Sequence, residues 1–68
     1  MVTYTKLWKL LIDKHMKKKD LISSAGISTY ILYKMNHNEN VTTDVLAKIC
    51  NALQCSFDDI MEIIPDDK

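Results

Sequence analysis

The chain has 68 residues, with nine lysines, no arginine and nine acidic residues, so its formal net charge is zero. This length allows a single domain, over residues 1–68, and a core too small to support a large catalytic cleft. A hydrophobic content of 47% excludes a disordered tail. The missing net positive charge argues against a nucleic-acid partner until the distribution of the charges is considered.

The sequence carries no targeting or membrane signal. Lys9 interrupts residues 7–12, the best apolar stretch, which is too short for a secretory signal or a membrane span. We therefore expect a cytoplasmic protein with no membrane partner. Cys50 and Cys55 are too few for a disulfide framework, and with the two histidines they give no zinc-binding spacing. No metal or other cofactor is predicted, and Cys50 is interpreted as a small buried hydrophobic residue.

Helical periodicity runs through the chain, and strand signals are absent. The first predicted helix covers residues 4–14. Its apolar face consists of Tyr4, Leu7, Trp8, Leu11 and Ile12. A second, shorter helix is predicted over residues 18–25, with Lys17 as its N-cap and Asp20 in the first turn, where an acidic side chain is favoured. Gly26 follows and can adopt the left-handed conformation that stops a helix.

Three more helices are predicted in the second half of the chain. Ser28 can cap a third helix that reaches about residue 36, and Thr42 can cap a fourth that ends near residue 53. Ser56 and Asp59 resemble a capping box that opens a fifth helix, which ends before the single proline. The expected fold is therefore all-α, a compact five-helix bundle.

The second and third helices are joined by residues 25–27, a short turn containing glycine, which is the helix-turn-helix pattern. In that motif the second helix of the pair enters the major groove of DNA. The outward face of the third helix carries Tyr30, Tyr33, Lys34 and His37. Exposed tyrosines are typical of a contact surface. The alternative is that one of the two tyrosines packs against the edge of the bundle.

Two groups of polar residues beside this motif are candidates for phosphate contacts. Lys17, Lys18 and Lys19 stand at the start of the second helix, where cations oppose the helix dipole and suit a bound phosphate. Asn38 and Asn40 lie in the loop after the third helix, and asparagine side chains commonly hold phosphates. The alternatives are an ordinary solvated lysine run and simple turn chemistry.

The residues together resemble the Cro/cI (XRE-like) helix-turn-helix regulators, in particular a small stand-alone bacterial subgroup. The matching segments, in order, are residues 16–21, 25–28, 38–41, 45–55 and 59–62, and the resemblance covers about residues 7–65. It implies a lambda-repressor-like domain that binds double-stranded DNA and regulates transcription, often as a homodimer on a two-fold operator. The base-reading positions that the resemblance implies are Ser28, Thr29, Tyr30, Tyr33 and Lys34.

The chain departs from the family pattern at three points. The family's phosphate-facing glutamine falls at Lys18, and a frequent alanine of the second helix falls at Ile22, which could splay the helix pair. The chain has no arginine, so the bidentate arginine–guanine contact is missing. We therefore expect modest direct readout of bases, with a larger share from phosphate contacts and DNA shape.

The sequence also bears on two other functions and on the dimer surface. The Tyr30/Tyr33 face could instead grip a partner helix, as in a protein-interaction module such as an antitoxin or an anti-regulator. An enzyme has no support, because no catalytic set of residues falls on a cleft-forming pattern, and no small-molecule ligand is evident. The fifth helix and the C-terminal tail are the expected dimer surface, because the last two helices carry more apolar residues than a small core needs.

The net charge of zero conceals an uneven distribution of charge along the chain. Residues 1–37 hold seven lysines and two acidic residues, a net charge of +5, and residues 38–68 hold the reverse, a net charge of −5. The basic half contains the whole predicted helix-turn-helix. The zero charge therefore does not exclude DNA, although it predicts weak non-specific affinity and a strong need for dimerisation. Alternatively, the two halves simply pair in surface salt bridges, each of which contributes little.

Overall fold

The computed structural model describes residues 1–65. Within them, the elements in chain order are β1 (Val2–Thr3), α1 (Thr5–Asp13), α2 (Lys18–Ala25), α3 (Thr29–Asn36), α4 (Thr43–Leu53), a 3₁₀ turn (Phe57–Asp59) and β2 (Glu62–Ile63). The first four predicted helices are therefore confirmed to within one residue at each end. The acidic residues counted at positions 66 and 67, and the lysine at 68, lie outside the described residues.

The predicted fifth helix is wrong, and so is the expectation of no strands. After the 3₁₀ turn the chain extends into β2, which pairs antiparallel with β1, Val2 opposite Ile63 and Thr3 opposite Glu62. The β-branched pair before Pro65 suits an extended backbone, since a residue preceding proline avoids the helical region. Over residues 1–65 the fold is mostly helical, with four α-helices and a two-stranded sheet, rather than the predicted five-helix bundle.

The apolar residues of the segment predicted as the fifth helix differ in burial. Ile60 is fully buried, but Phe57 and Ile64 remain 41% and 42% exposed. The capping interaction itself exists, because the Ser56 amide and hydroxyl both donate to a carboxylate oxygen of Asp59, at 3.0 and 3.1 Å. These bonds lower the pKa of Asp59. A capping box therefore starts a single 3₁₀ turn here instead of a longer helix.

The core forms where α2 packs against α4, with α1 and the 3₁₀ turn closing it. Its largest fully buried side chains are Tyr4, Leu7, Leu21, Met35, Ile49 and Ile60. One member of the predicted apolar face of α1 is misplaced, because Ile12 is 72% exposed. Leu10, which was not assigned to that face, packs against the core in part.

Each of the four α-helices ends at a residue with a left-handed backbone. These residues are His15, Gly26, Asn38 and Gln54, with φ between 55° and 69°. In every case the amide of the following residue donates to the carbonyl five positions earlier, at N···O distances of 2.8 to 3.3 Å. This is the hydrogen bond of a Schellman motif, which satisfies a carbonyl at the helix end. Three of the four helices accept it without a glycine.

Cys50 is buried on α4, as the sequence predicts, while Cys55 is half-buried after it. Burial and the neighbouring Cys55 raise the pKa of the Cys50 thiol to about 11. The thiol is therefore protonated at neutral pH and packs as a small hydrophobic side chain. Within residues 1–65, no cluster of acidic, histidine and cysteine side chains could hold a metal ion. No helix in the same range is long and apolar enough to cross a membrane.

The left-handed helix ends predict an asymmetry between glycine and alanine. Gln54→Gly should be more stable than Gln54→Ala by about 1 kcal/mol, because both variants lose the side chain but only alanine strains the left-handed backbone. Gly26→Ala should lose a similar amount from backbone strain alone, since a Cβ there meets nothing within 4 Å. Urea denaturation measures all three variants. Equal stability of the two Gln54 variants would contradict this reading of the helix ends.

Candidate nucleic-acid interface

The turn between α2 and α3 is fixed by backbone bonds and by an apolar anchor. The Gly26 amide donates to the Ile22 carbonyl at 3.0 Å while Gly26 itself adopts φ 69° and ψ 35°. Ile27, the next residue, is buried. Ile22, where the family pattern has alanine, is half-buried and packs against the core. The turn thus sets α3 against the bundle with one face inward.

The outward face of α3 is aromatic, as predicted. Tyr30 is 67% exposed and Tyr33 54% exposed, whereas Leu32 and Met35 are buried. The Tyr33 ring lies against His37, with centroids 4.2 Å apart and planes tilted by 42°. Neither tyrosine is buried in the core, and each exposes more than half of its surface.

The polar groups on this face are hydrogen-bond donors and acceptors rather than fixed ion pairs. The ammonium of Lys34 lies 5.8 Å from the ring centroid of Tyr30, a cation–π distance. His37 Nδ1 is 2.8 Å from the Tyr33 carbonyl oxygen. Lys34 itself is half-buried. The lysine stem therefore lies along the helix, and its charge is held beside the exposed phenol.

At the start of α3, Ser28 is the N-cap that the sequence predicts. Its hydroxyl oxygen accepts a hydrogen bond from the Ile31 amide at 3.1 Å. This role uses one lone pair, and the O–H proton remains available to donate to another group. Thr29, the first residue of the helix, is exposed. Both side chains thus lie at the same end of α3.

Lys18 is held by two neighbours from different helices. Its Nζ lies 2.6 Å from Asn36 Oδ1 at the end of α3. The same ammonium sits 4.4 Å from the centroid of the Trp8 ring on α1. Together these contacts connect the start of α2 to the end of α3 and to the Trp8 ring of α1. The ammonium is thus oriented while the side chain remains exposed.

Lys17 and Lys19 flank this position and are exposed. Lys17 is the N-cap of α2, and its amide donates to Asp20 Oδ2 at 2.8 Å. No ion pair joins either ammonium to another residue in the range 1–65. Two unpaired positive charges therefore lie next to Lys18 at the positive end of the α2 dipole.

The loop after α3 is tied to the N-terminal part of the chain. The buried phenol of Tyr4 donates to the Glu39 carbonyl at 2.9 Å. Burial raises the pKa of Tyr4, against a smaller opposing effect of the backbone hydrogen bond at Val41. Asn38 is the left-handed residue that ends α3, and both Asn38 and Asn40 are exposed. The loop is thus anchored in its middle, between two exposed amide side chains.

The candidate residues fall into two groups along α3. Ser28 and Thr29 lie at its start, with Tyr30, Tyr33 and Lys34 following on the helix. Lys18 approaches the opposite end of α3 through Asn36, two residues before Asn38. Lys18 of α2 and the loop that carries Asn38 therefore lie at the same end of α3.

The charges of the two halves of the chain meet away from this unit. Lys6 forms an ion pair with Asp58 at 4.0 Å and also donates to the Asp58 carbonyl at 3.2 Å. Lys48 pairs with Asp44 along α4, within the second half of the chain. The lysines of α2 and α3 have no such acidic partner within residues 1–65, so salt bridges between the halves do not cancel the positive charge of the helix-turn-helix.

Comparison with known families and structures identifies the fold. Residues 6–66 match the family model described as the Cro/C1-type helix-turn-helix DNA-binding domain. The chain belongs to this family. The resemblance drawn from the sequence is thereby confirmed, and the domain is a DNA-binding module rather than an enzyme. No curated protein sequence matches the chain.

Among solved structures, the chain is similar to one reported as the crystal structure of the transcriptional regulator VanUg, Form II. The two chains are 49% identical, with a TM-score of 0.91, over 96% of this chain and 87% of the other. This Cro/C1-type domain therefore shares its helix arrangement with a protein described as a regulator of transcription.

Sequence reasoning missed two residues of the interface. The sequence pattern places Asn36 only at the end of α3 and Trp8 only on the apolar face of α1. No spacing along the chain connects either residue to Lys18, because each contact joins separate helices. The signal that the sequence offers is the lysine itself, which adds a positive charge where the family pattern has a glutamine.

A double-mutant cycle tests the contact between Lys18 and Trp8. Lys18→Met and Trp8→Leu should show a coupling energy of about 0.5–1 kcal/mol in the free energy of unfolding, as expected for an exposed cation–π pair. Lys19→Met with Trp8→Leu is the matched control and should couple by less than about 0.3 kcal/mol. Equal coupling in the two cycles would show that Trp8 does not hold Lys18.

Proposed function

We propose that this protein is a sequence-specific regulator of transcription that binds double-stranded DNA with α3 in the major groove. The observation that carries the proposal is the exposed face of α3, where two tyrosines are more than half exposed on a helix whose other face is buried. Membership of a DNA-binding family supports the groove-binding role of this face.

In the proposed complex, base edges are contacted by Ser28, Thr29, Tyr30, Tyr33 and Lys34. The tyrosine and threonine side chains supply hydroxyl groups and apolar surface for thymine methyl groups, and Lys34 supplies a point charge for guanine. The phosphate backbone is contacted by Lys17, Lys18, Lys19, Asn38 and Asn40. Because arginine is absent, base discrimination rests partly on DNA shape.

We further propose that the protein acts as a homodimer on a two-fold site. One α3 reads only a few base pairs, so useful specificity needs two half-sites about one helical turn apart. The three lysines of α2 and α3, with Lys17 before them, are opposed by an acidic second half of the chain, which makes non-specific binding weak. Dimerisation supplies the affinity that a single domain lacks. Action in the cytoplasm of a bacterium is part of the same proposal.

Salt dependence tests the phosphate contacts. Lys18→Gln should weaken binding to all duplex sequences alike and should reduce the slope of log K against log salt by about 0.9, because one phosphate contact is lost. Lys48→Gln is the matched control, since Lys48 pairs with Asp44 on α4 and should leave the slope unchanged. Fluorescence anisotropy with labelled DNA measures both slopes.

An unchanged slope in Lys18→Gln would remove Lys18 from the interface. The same assay separates DNA binding from the alternative function. The unaltered protein should bind random duplex DNA at low salt, although weakly. No binding at low salt would favour a protein-interaction module that uses the Tyr30/Tyr33 face.

A further inference from the structure

The outer edge of β2 has unused backbone hydrogen-bonding groups. Met1 and Ile64 exchange two hydrogen bonds, at 2.9 and 2.7 Å, so they form a hydrogen-bonded pair of the antiparallel ladder. Hydrogen-bonded and non-hydrogen-bonded pairs alternate in such a ladder. The next pair, Val2 with Ile63, is therefore non-hydrogen-bonded, and the amide and carbonyl of Ile63 point away from β1. No other segment within residues 1–65 bonds to them.

The side chains around this edge are unusually apolar for a free surface. Ile63 is 64% exposed, Ile64 42% and Phe57 41%. Beside them lies an open groove of about 600 Å³, lined by Lys6, Phe57, Asp58, Met61, Glu62 and Ile63. An exposed strand edge next to apolar side chains invites pairing with another strand.

We propose that β2 is the dimer surface of the protein and that it pairs antiparallel with β2 of a second copy. The two sheets then join into a single four-stranded sheet, with β2 and its copy in the centre. The inference specifies how the homodimer of the proposed function forms, and it depends on that part of the proposal.

The polarity of the backbone fixes the register of this pairing. Only Ile63 in β2 directs its amide and carbonyl outward, because Glu62 and Ile64 are bonded toward β1. Antiparallel pairing of two identical strands therefore sets Ile63 opposite Ile63 of the second copy, with the two-fold axis between them. The two isoleucine side chains then meet across the axis on one face of the sheet.

Charge favours a second copy over a different partner. The groove carries both signs, since Lys6 lies among Asp58 and Glu62. A surface that carries both signs can be complementary to itself under two-fold rotation, whereas a surface of one sign would repel a second copy. None of the groove residues belongs to α2 or α3, so the pairing uses no part of the helix-turn-helix.

Two variants of Ile63 test the proposal through different groups. Ile63→Asp sets two carboxylates opposite each other and removes the apolar contact, and it should raise the dimer dissociation constant roughly tenfold or more. Ile63→Pro removes the outward amide without touching the bonds between β1 and β2, because proline is tolerated where the amide of an edge strand faces outward. Ile12→Asp, at an isoleucine that is 72% exposed on α1, is the matched control.

Sedimentation equilibrium of the full chain over a wide concentration range measures the dissociation constant of each protein, and circular dichroism checks that each is folded. The expected result is a dimer for the unaltered protein and for Ile12→Asp, with both Ile63 variants folded and monomeric. Ile63 variants that dimerise as tightly as the unaltered protein would overturn the proposal. An unaltered protein that stays monomeric at millimolar concentration would also overturn it.

Fluorescence anisotropy with random duplex DNA at low salt distinguishes failure of the dimer proposal from failure of the proposed DNA-binding function. Ile63→Asp and Ile63→Pro should retain the weak non-specific binding of a single domain and should lose the tight binding to a two-fold site. Two-fold binding that survives in both variants would place the dimer surface elsewhere while leaving the DNA-binding function intact. If the unaltered protein binds no DNA in this assay, the proposed DNA-binding function itself is contradicted.

Discussion

The way in which the helices end determines the rest of this structure. Each α-helix is closed by a left-handed residue and by a hydrogen bond from the next amide to a carbonyl five residues earlier. This arrangement satisfies helix-end carbonyls and turns the chain within two or three residues. With so few residues available for loops, the chain can bury one face of four helices in a single core. The turn at Gly26 is the case on which function depends, because it sets the exposed face of α3 beside the start of α2.

The interface builds on that turn through contacts between separate helices. Lys18 is held by Asn36 of α3 and lies over Trp8 of α1, while the loop after α3 is anchored by Tyr4. A lysine ammonium is a flexible point charge, and holding it in place reduces the conformational entropy lost when it meets a phosphate. In the proposed complex, where the chain offers no arginine, such orientation would supply part of the geometric precision that a guanidinium otherwise provides.

Sequence reasoning predicted what depends on local periodicity and on caps, and it failed where distant segments meet. The four α-helices, the caps at Ser28 and Thr42 and the exposure of Tyr30 and Tyr33 follow from spacing alone. The left-handed helix ends at His15, Asn38 and Gln54 were not predictable, because none of these residues is a glycine. Only Gly26 carries that signal in the sequence. The prediction of a fifth helix failed because Ile60 and Ile64 have helical spacing, whereas the conformation is decided by pairing with β1, at the other end of the sequence. For the same reason the contacts of Lys18 with Trp8 and Asn36 were not predictable.

The central claim is that α3 reads DNA sequence from a two-fold dimer, and selection from a random duplex pool tests it most directly. The unaltered protein should enrich a two-fold sequence whose half-sites are centred about 10 base pairs apart or a multiple of that. Lys34→Met, selected in parallel, should change the preferred base at one symmetric pair of positions. No enrichment above the starting pool would contradict the claim, and so would an identical preferred sequence for the two proteins.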